Sequence, residues 1–241
     1  MKQITGSEHV HSKLLDLASL KSVREFSDSF LAEFPELHIL VNNAGIMMCP
    51  YAKTEDGFES QFGVNHLGHF ALTNLLLPRL VQCAPSRVVN VSSTAHKASR
   101  GMKFQDINFE HGYNGSRAYW RSKLANILFT KELHRRCENT GVTTYVLHPG
   151  VISTELARNS LSARFFYWFS SPFTKSTVQG AQTSIYCAVE EGIEELSGSY
   201  FSDCAVASSS GVSQDVEMAK KLWVVSEEMT GIKWNVKIES P

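Results

Sequence analysis

The chain has 241 residues, of which 43% are hydrophobic and 20% charged, and its formal net charge is −1. This composition is typical of a globular protein, so it excludes a disordered or low-complexity chain, and the balanced charge gives no basic surface for nucleic acid. The length fits one large α/β domain, and we expect a single domain over residues 1–241. The five cysteines form no Cys-x-x-Cys pair, and His66 and His69 lack further ligands nearby. We therefore expect neither a disulfide framework nor a metal site.

Apolar runs alternate along the chain with segments of helical period. The pattern predicts a strand over 13–17, then a helix that is capped by Ser19 and ends at Pro35, then a buried strand over 37–41. Such alternation is typical of parallel strands joined by right-handed crossovers, so the predicted fold class is α/β with a doubly wound, Rossmann-like sheet. The other predicted helices cover roughly 54–80, 118–137, 178–189 and 215–229, and the other strands cover 87–93, 141–147 and 199–202.

Small polar residues follow three of the predicted strands. They are Asn42-Asn43-Ala44-Gly45, Ser92-Ser93 and Pro149-Gly150. Ligands of doubly wound sheets bind outside the carboxyl ends of the strands. Three such clusters in succession therefore predict one crevice lined by backbone groups and hydroxyls.

Tyr119 and Lys123 are four residues apart in a predicted helix, so they share one face of it. A free tyrosine titrates near pH ~10 and transfers protons poorly at neutral pH. A neighbouring cation favours the phenolate and lowers the tyrosine pKa toward the working range. The pair suits a tyrosine acid/base catalyst tuned by a lysine, although a solvated surface pair has the same spacing.

The order of these motifs resembles the short-chain dehydrogenase/reductase family. The resemblance covers about residues 12–235, and within the family it is greatest to the microsomal retinol dehydrogenases of the retinal-reducing branch. Five ordered motifs carry it: 42–45, 62–68, 89–93, 119–123 and 148–150. The closer match rests on Met47-Met48-Cys49-Pro50, QFGVNHLGHF at 61–70, SKLANILFT at 122–130 and LHPGVISTEL at 147–156.

The resemblance implies four catalytic residues. Tyr119 would protonate the substrate carbonyl oxygen during reduction and act as the base during oxidation. Lys123 would lower the pKa of Tyr119 and hydrogen-bond the nicotinamide ribose. Ser93, rather than Ser92, would hold the substrate oxygen, and Asn65 would anchor a water in the proton relay.

The resemblance also implies a cofactor and a substrate class. The cofactor would be NADP(H), with NAD(H) as the alternative, and the substrate a retinoid or another lipid alcohol or aldehyde. Asp16 would contact the adenine. The adenosine half would be bordered by Asn43, Ala44 and Gly45, and the nicotinamide flanked by Pro149, Gly150, Val151 and Thr154.

One family motif is missing from this sequence. The family opens with a strand and a Thr-Gly-x-x-x-Gly-x-Gly turn that holds the pyrophosphate at a helix N-terminus. The 15 glycines here include no two that are separated by a single residue. We therefore expect the chain to enter the fold at the family's third strand, without the first two strands, the first helix and any N-terminal anchor. The strand over 37–41 would then be an exposed edge.

Three interpretations of function follow from these observations. The first is the family's oxidoreductase activity, with an endoplasmic reticulum membrane location suggested by the resemblance. The second is a catalytically inactive binding or regulatory protein. The third, a nucleotide-sugar epimerase, is less favoured because the region after residue 150 is short. The aromatic run at 165–169 predicts a helix packed on the core, with a substrate-pocket lid or a membrane-surface contact as alternatives.

Overall fold

The computed structural model describes residues 6–152 and 175–235. Helices and strands alternate through most of this region, as the hydrophobic pattern predicts. The helices are α1 (Leu20–Glu33), α2 (Ser60–Phe62), α3 (Gly68–Gln82), α4 (Gly115–Arg136), α5 (Thr177–Val189) and α6 (Val216–Thr230), and a π-helical turn, Gly63–Leu67, joins α2 to α3. The strands are β1 (Ile39–Asn42), β2 (Ser86–Val91), β3 (Val142–His148), β4 (Tyr200–Ser202) and β5 (Ala205–Val206).

The five strands form one sheet in the order β1-β2-β3-β4-β5. The first four are parallel, and β5 pairs antiparallel to β4. The register sets Val41 of β1 against Val89 of β2 and Val91 of β2 against Leu147 of β3. The carboxyl ends of β1, β2 and β3 therefore lie side by side, and the predicted doubly wound α/β class is confirmed.

The core lies on both faces of the two central strands. Val88 of β2 packs with residues of α3, α4 and α6, among them the fully buried Trp223. Val89, the next residue, packs on the opposite face with Tyr145 and with Cys187 of α5. Successive strand residues point to opposite faces, so the continuous apolar run of β2 is buried from both sides.

A line of buried polar side chains crosses the sheet face that α3 and α4 cover, close to the carboxyl ends of the strands. Asn42 donates to Thr73 and to Asn90, at 2.9 and 2.8 Å. Asn90 donates to Thr130 at 2.9 Å, and Thr130 to the Asn126 carbonyl at 2.7 Å. These bonds tie β1 and β2 to α3 and α4 and fix the strand ends relative to both helices.

Residues 13–17 do not form the predicted strand and lie outside the sheet. Leu15 and Leu17 pack instead against a cluster that includes Val23 of α1, and Lys13 donates to Ser29 of the same helix. A short apolar run forms a strand only when a neighbouring strand accepts its hydrogen bonds. Here Leu15 and Leu17 pack beside α1, whereas Leu14 is 94% exposed.

The predicted helix over 54–80 begins six residues late. Thr54 and Phe58 close a tight loop, since the Thr54 amide donates to the Phe58 carbonyl and the Phe58 amide donates to the Thr54 hydroxyl. Gly57, at φ +84°, supplies the left-handed backbone of this loop. Glu59 then caps the first helical turn, as its carboxylate accepts the amides of residues 61 and 62.

Strand β1 forms an edge of the sheet in the described part of the chain, as expected. Ile39 and Val41 are 39% and 41% exposed, although both lie on the face that buries Val89 in the next strand. An exposed apolar edge strand is a template for pairing with another chain. None of the described helices is long and apolar enough to cross a membrane.

We expect Val41→Lys to reduce light scattering on heating while lowering the melting temperature by no more than about 3 °C, because a half-exposed side chain contributes little burial. The matched control is Val89→Lys, which replaces the fully buried register partner of Val41. The control should abolish cooperative melting. Equal loss of folding in the two variants would contradict the assignment of β1 as an open edge.

Candidate active site

Lys123 occupies the middle of α4 with its ammonium group almost completely buried. The side chain is 4% exposed, and Nζ donates to the Val91 carbonyl at the end of β2 at 3.0 Å. The Asn126 amide donates to the same oxygen at 3.1 Å. Burial disfavours the charged form and lowers the pKa of Lys123 to about 8.

The two serines at the end of β2 have different environments. The Ser92 hydroxyl is buried and donates to the Lys123 carbonyl at 2.7 Å, so Ser92 locks the strand end to α4. Ser93 is half-buried, and its hydroxyl accepts the Ala95 amide at 3.2 Å, capping a short 3-10 helix. Ala95 in turn packs against the cluster of Met47 and Tyr119. The Ser92 hydroxyl is thus bonded to α4, whereas the Ser93 hydroxyl is bonded to the backbone that follows β2.

Tyr119 lies on the same face of α4 as Lys123, as the spacing predicts. The Lys123 ammonium is 5.8 Å from the centroid of its ring. The tyrosine is 5% exposed and packs against Met47 in the loop after β1. This places an ammonium group beside a phenol at the edge where the strands end.

Asn65 lies in the π-helical turn, and three hydrogen bonds hold its side chain. Oδ1 accepts the Ile46 amide at 2.8 Å, while Nδ2 donates to the Ile46 carbonyl and to the Ser122 hydroxyl, both at 2.9 Å. Ser122 donates in turn to the Tyr119 carbonyl at 2.9 Å. Asn65 thus clamps the loop after β1 to the helix that carries Tyr119 and Lys123.

Gly45 is the point at which the loop after β1 comes closest to this cluster. A Cβ atom at residue 45 would lie 3.0 Å from Asn65 Oδ1 and 3.6 Å from Lys123 Nζ. A side chain here would press on the Asn65 amide oxygen, which would have to shift by a few tenths of an ångström. Asn43 and Ala44, the other residues expected to border the cofactor, are exposed on the same loop.

Pro149 and Gly150 follow β3, next to the end of β2. The Ser92 amide donates to the Leu147 carbonyl at 2.7 Å, which joins the two strand ends. Gly150 has φ +93°, and a Cβ there would lie 2.6 Å from the side chain of Lys175. Val151 is 37% exposed at the same edge, and Thr154 lies outside the described residues, as does the aromatic run at 165–169.

Asp16 is exposed in the turn ahead of α1. Its carboxylate accepts the Ala18 amide at 2.8 Å, and its own amide donates to the Ser22 hydroxyl at 3.0 Å. These bonds organise the start of α1. Asp16 therefore belongs to the turn that begins α1. Asn65, Tyr119 and Lys123, in contrast, lie close to one another.

The two histidines of the π-helical region have separate partners. Nε2 of His66 is 2.8 Å from the Ser226 hydroxyl, and Nδ1 of His69 is 3.0 Å from the Asn65 carbonyl oxygen. No group of three potential metal ligands occurs among the described residues. Sequence reasoning considered the pair only as metal ligands, and it did not identify Ser122 as a partner of Asn65. Asn65 lies in the stretch 61–70 and Ser122 in the stretch 122–130. The resemblance of these two stretches to the family was the sequence signal that could have pointed to the pair.

A family model described as short chain dehydrogenase matches residues 1–164. The chain belongs to the short-chain dehydrogenase family. It is 53% identical to human retinol dehydrogenase 11 over 228 residues, which is 95% of this chain and 71% of the relative. It is 54% identical to mouse retinol dehydrogenase 14 over 224 residues, or 91% of this chain and 67% of the relative. This short-chain dehydrogenase is thus an oxidoreductase by family and resembles retinol dehydrogenases over most of its length.

Solved structures share the fold of this chain. A crystal structure of an uncharacterized protein from Mycobacterium paratuberculosis has a TM-score of 0.76 and 38% identity, covering 97% of this chain and 80% of that chain. NADPH-bound carbonyl reductase from chicken fatty liver has a TM-score of 0.59 at 20% identity, covering 81% and 75% of the two chains. The second likeness shows the fold of this short-chain dehydrogenase.

The buried ammonium of this short-chain dehydrogenase predicts a pH-dependent stability. Folded Lys123 has a pKa of about 8 against an ordinary value of 10.5, so the folded protein pays for a buried charge below pH 8. That cost disappears as the pH rises from about 8 to about 10.5, where the folded state has already lost the proton. Lys123→Met should therefore gain stability over the wild type at pH 7, and the gain should shrink by on the order of 2 kcal/mol by pH 10.

Urea unfolding at the two pH values measures this difference. Lys21→Met is the matched control, since the Lys21 side chain is 77% exposed, and it should show the same difference from the wild type at both pH values. A Lys123→Met variant whose gain does not change between pH 7 and pH 10 would show that Lys123 is not a buried cation.

Proposed function

We propose that this protein transfers a hydride between NADP(H) and a retinoid or another lipid alcohol or aldehyde. The observation that carries the proposal is the buried Lys123 ammonium, 5.8 Å from the ring of Tyr119, at the edge where three parallel strands end. The retinol dehydrogenases that are 46–54% identical to the chain support the substrate class. An endoplasmic reticulum membrane location is part of the same proposal.

The residues near Lys123 fit the nicotinamide end of the cofactor. Lys123 has three N–H donors, one of which is used on the Val91 carbonyl, and ribose hydroxyl oxygens suit the others. Gly45 leaves open the space that a side chain would fill between Asn65 and Lys123. The pyrophosphate end fits less well, because the sequence contains no Gly-x-Gly turn.

When bound, the nicotinamide supplies or accepts the hydride. The Tyr119 hydroxyl gives its proton to the substrate oxygen during reduction and takes one back during oxidation. The Lys123 ammonium beside it favours the phenolate form and so assists the release of that proton. In this proposal Ser93 holds the substrate oxygen, and Asn65 fixes the far end of the proton path through its contacts with residues 46 and 122.

Tyr119→Phe tests the proposal, because the ring still packs but carries no proton. We expect the rate of retinal reduction to fall by about 10²–10⁴-fold, the usual loss for a general acid, with the dissociation constant of NADPH nearly unchanged. The assay uses a fusion that carries the family's glycine-rich segment ahead of this chain. Tyr51→Phe, a change on an exposed tyrosine, serves as the control and should retain full activity. Retention of more than half the rate in Tyr119→Phe would remove Tyr119 from the mechanism.

A second candidate function is a binding or regulatory protein without catalytic activity. Two observations favour it: the sequence lacks the Gly-x-Gly turn, and strand β1 exposes Ile39 and Val41 at the sheet edge. A dinucleotide bound without that turn loses the backbone amides and the helix dipole that stabilise its phosphate charge. Cofactor affinity therefore separates the two candidates.

We expect the 241-residue chain to bind NADPH far more weakly than the fusion with the glycine-rich segment. Thermal melting with and without NADPH measures this, because a ligand that binds the native state raises the melting temperature. The fusion should gain several degrees at saturating NADPH, and the 241-residue chain should gain little. An equal shift in both proteins would contradict the second candidate and show that phosphate binding here does not need the turn.

A further inference from the structure

His69 lies in the first turn of α3 and is 3% exposed. Its Nδ1 is 3.0 Å from the carbonyl oxygen of Asn65. A carbonyl oxygen only accepts hydrogen bonds, so Nδ1 must carry the hydrogen. The contact therefore fixes which ring nitrogen of His69 holds the proton.

The backbone of Asn65 lies where the helix departs from α geometry. In the π-helical turn the Gly68 amide donates to the Gly63 carbonyl, five residues back instead of four. Such single π turns interrupt the regular hydrogen-bond ladder and occur often at functional sites. At the π turn of this protein, the side chain of His69 donates to the carbonyl of Asn65.

The side chain of Asn65 is already committed to three partners on Ile46 and Ser122. Its backbone carbonyl is the polar group of Asn65 that His69 contacts. Burial lowers the pKa of His69 to about 4, with a smaller lowering effect from the nearby Lys123 ammonium and an opposing effect from the hydrogen bond to the Asn65 carbonyl. At neutral pH the ring is uncharged.

We propose that His69 is a positioning residue for the catalytic centre: its neutral imidazole donates Nδ1–H to the Asn65 carbonyl and holds that carbonyl and the Asn65 clamp in place beside Lys123. This inference rests on the proposed role of Asn65 in the proton path. It assigns a role to a histidine that makes no contact with substrate in the mechanism above and that spacing alone suggested as a metal ligand.

The tautomer of His69 is the first test, and it is measured on the wild-type chain. NMR of the 241-residue chain with ¹³C,¹⁵N-labelled histidine distinguishes the Nδ1–H from the Nε2–H form. The His69 signals are assigned by their loss in His69→Asn. We expect the Nδ1–H form at pH 7. The Nε2–H form, or a charged ring at pH 7, would overturn the proposal.

The second test asks whether His69 holds the clamp, using hydrogen exchange of the Ile46 amide, which donates to Asn65 Oδ1. His69→Leu removes the donor, and we expect Ile46 to exchange up to about tenfold faster, in keeping with the loss of one hydrogen bond. His69→Asn places an amide donor near the position of Nδ1 and should restore exchange to within about threefold of the wild type. Unchanged exchange in His69→Leu would overturn the proposal.

His66→Leu is the matched control, because His66 is equally buried in the same helical segment but is bonded to Ser226. We expect it to lower the melting temperature without a selective change at Ile46. If His66→Leu accelerates Ile46 as much as His69→Leu does, the effect is general loosening and the proposal fails. Should His69→Leu not fold, His69→Gln, with its amide one carbon further out, is compared with His69→Asn in the same way.

Failure of this inference and failure of the proposed function give different results. In the fusion with the glycine-rich segment, His69→Leu should lower kcat for retinal reduction with little change in KM, and His69→Asn should recover most of kcat. If the fusion has no activity at all, the proposed function fails, while the tautomer and exchange measurements still decide the role of His69. If the fusion is active and His69→Leu leaves kcat and Ile46 exchange unchanged, the inference alone fails.

Discussion

The buried ammonium of Lys123 is the constraint on which the rest of the site depends. An uncompensated charge in a protein interior costs several kcal/mol, so the fold must provide an oxygen at the right place. Strand β2 does so by ending at Val91, whose carbonyl accepts both Lys123 Nζ and the Asn126 amide. Ser92 then donates back to the Lys123 carbonyl. These reciprocal bonds fix one residue of α4 against one strand end, and Tyr119, one turn earlier on α4, is positioned by the same contact.

Asn65 is the second residue that fixes the site, and it does so by connecting segments rather than by holding one strand end. It connects three segments that are far apart in sequence, namely the loop at Ile46, the π-helical turn and Ser122 of α4. The side chain that could have faced a substrate is used entirely for this purpose. Gly45 completes the arrangement, because the loop reaches Asn65 and Lys123 only where no Cβ is present. Preorganisation of this kind is what lets a proton donor be held in one geometry without a rearrangement at each turnover.

Local pattern was sufficient for the parts of this site that depend on one element, and insufficient for the parts that depend on several. The spacing of Tyr119 and Lys123 predicts a shared helix face, and the apolar runs predict the central strands, because both follow from backbone periodicity. The run at 13–17 has the hydrophobic pattern of a strand, but Leu15 and Leu17 pack beside α1. Packing against a helix competes here with strand pairing, and local periodicity does not predict which of the two occurs. The spacing of His66 and His69 allows a metal pair, which the sequence disfavours because no further ligands lie nearby, but it does not reveal their partners. These are Ser226 on α6 for His66 and a backbone carbonyl four residues away for His69. The π-helical turn that contains His66 and precedes His69 is not predicted by the periodicity of the apolar residues.

The contacts that hold Lys123, Asn65 and Tyr119 are separate from the exposed side of β1. The bonds that position Lys123, Asn65 and Tyr119 involve β2, α4, the π-helical turn and the loop after β1. None of those contacts uses the exposed side of β1, where Ile39 and Val41 face solvent. The arrangement of Lys123, Asn65 and Tyr119 is therefore present in a chain whose sequence contains no Gly-x-Gly turn. Under the proposed function, the phosphates rather than the nicotinamide end would limit the affinity for a dinucleotide, because the amide donors and helix dipole that favour phosphate charge belong to that turn.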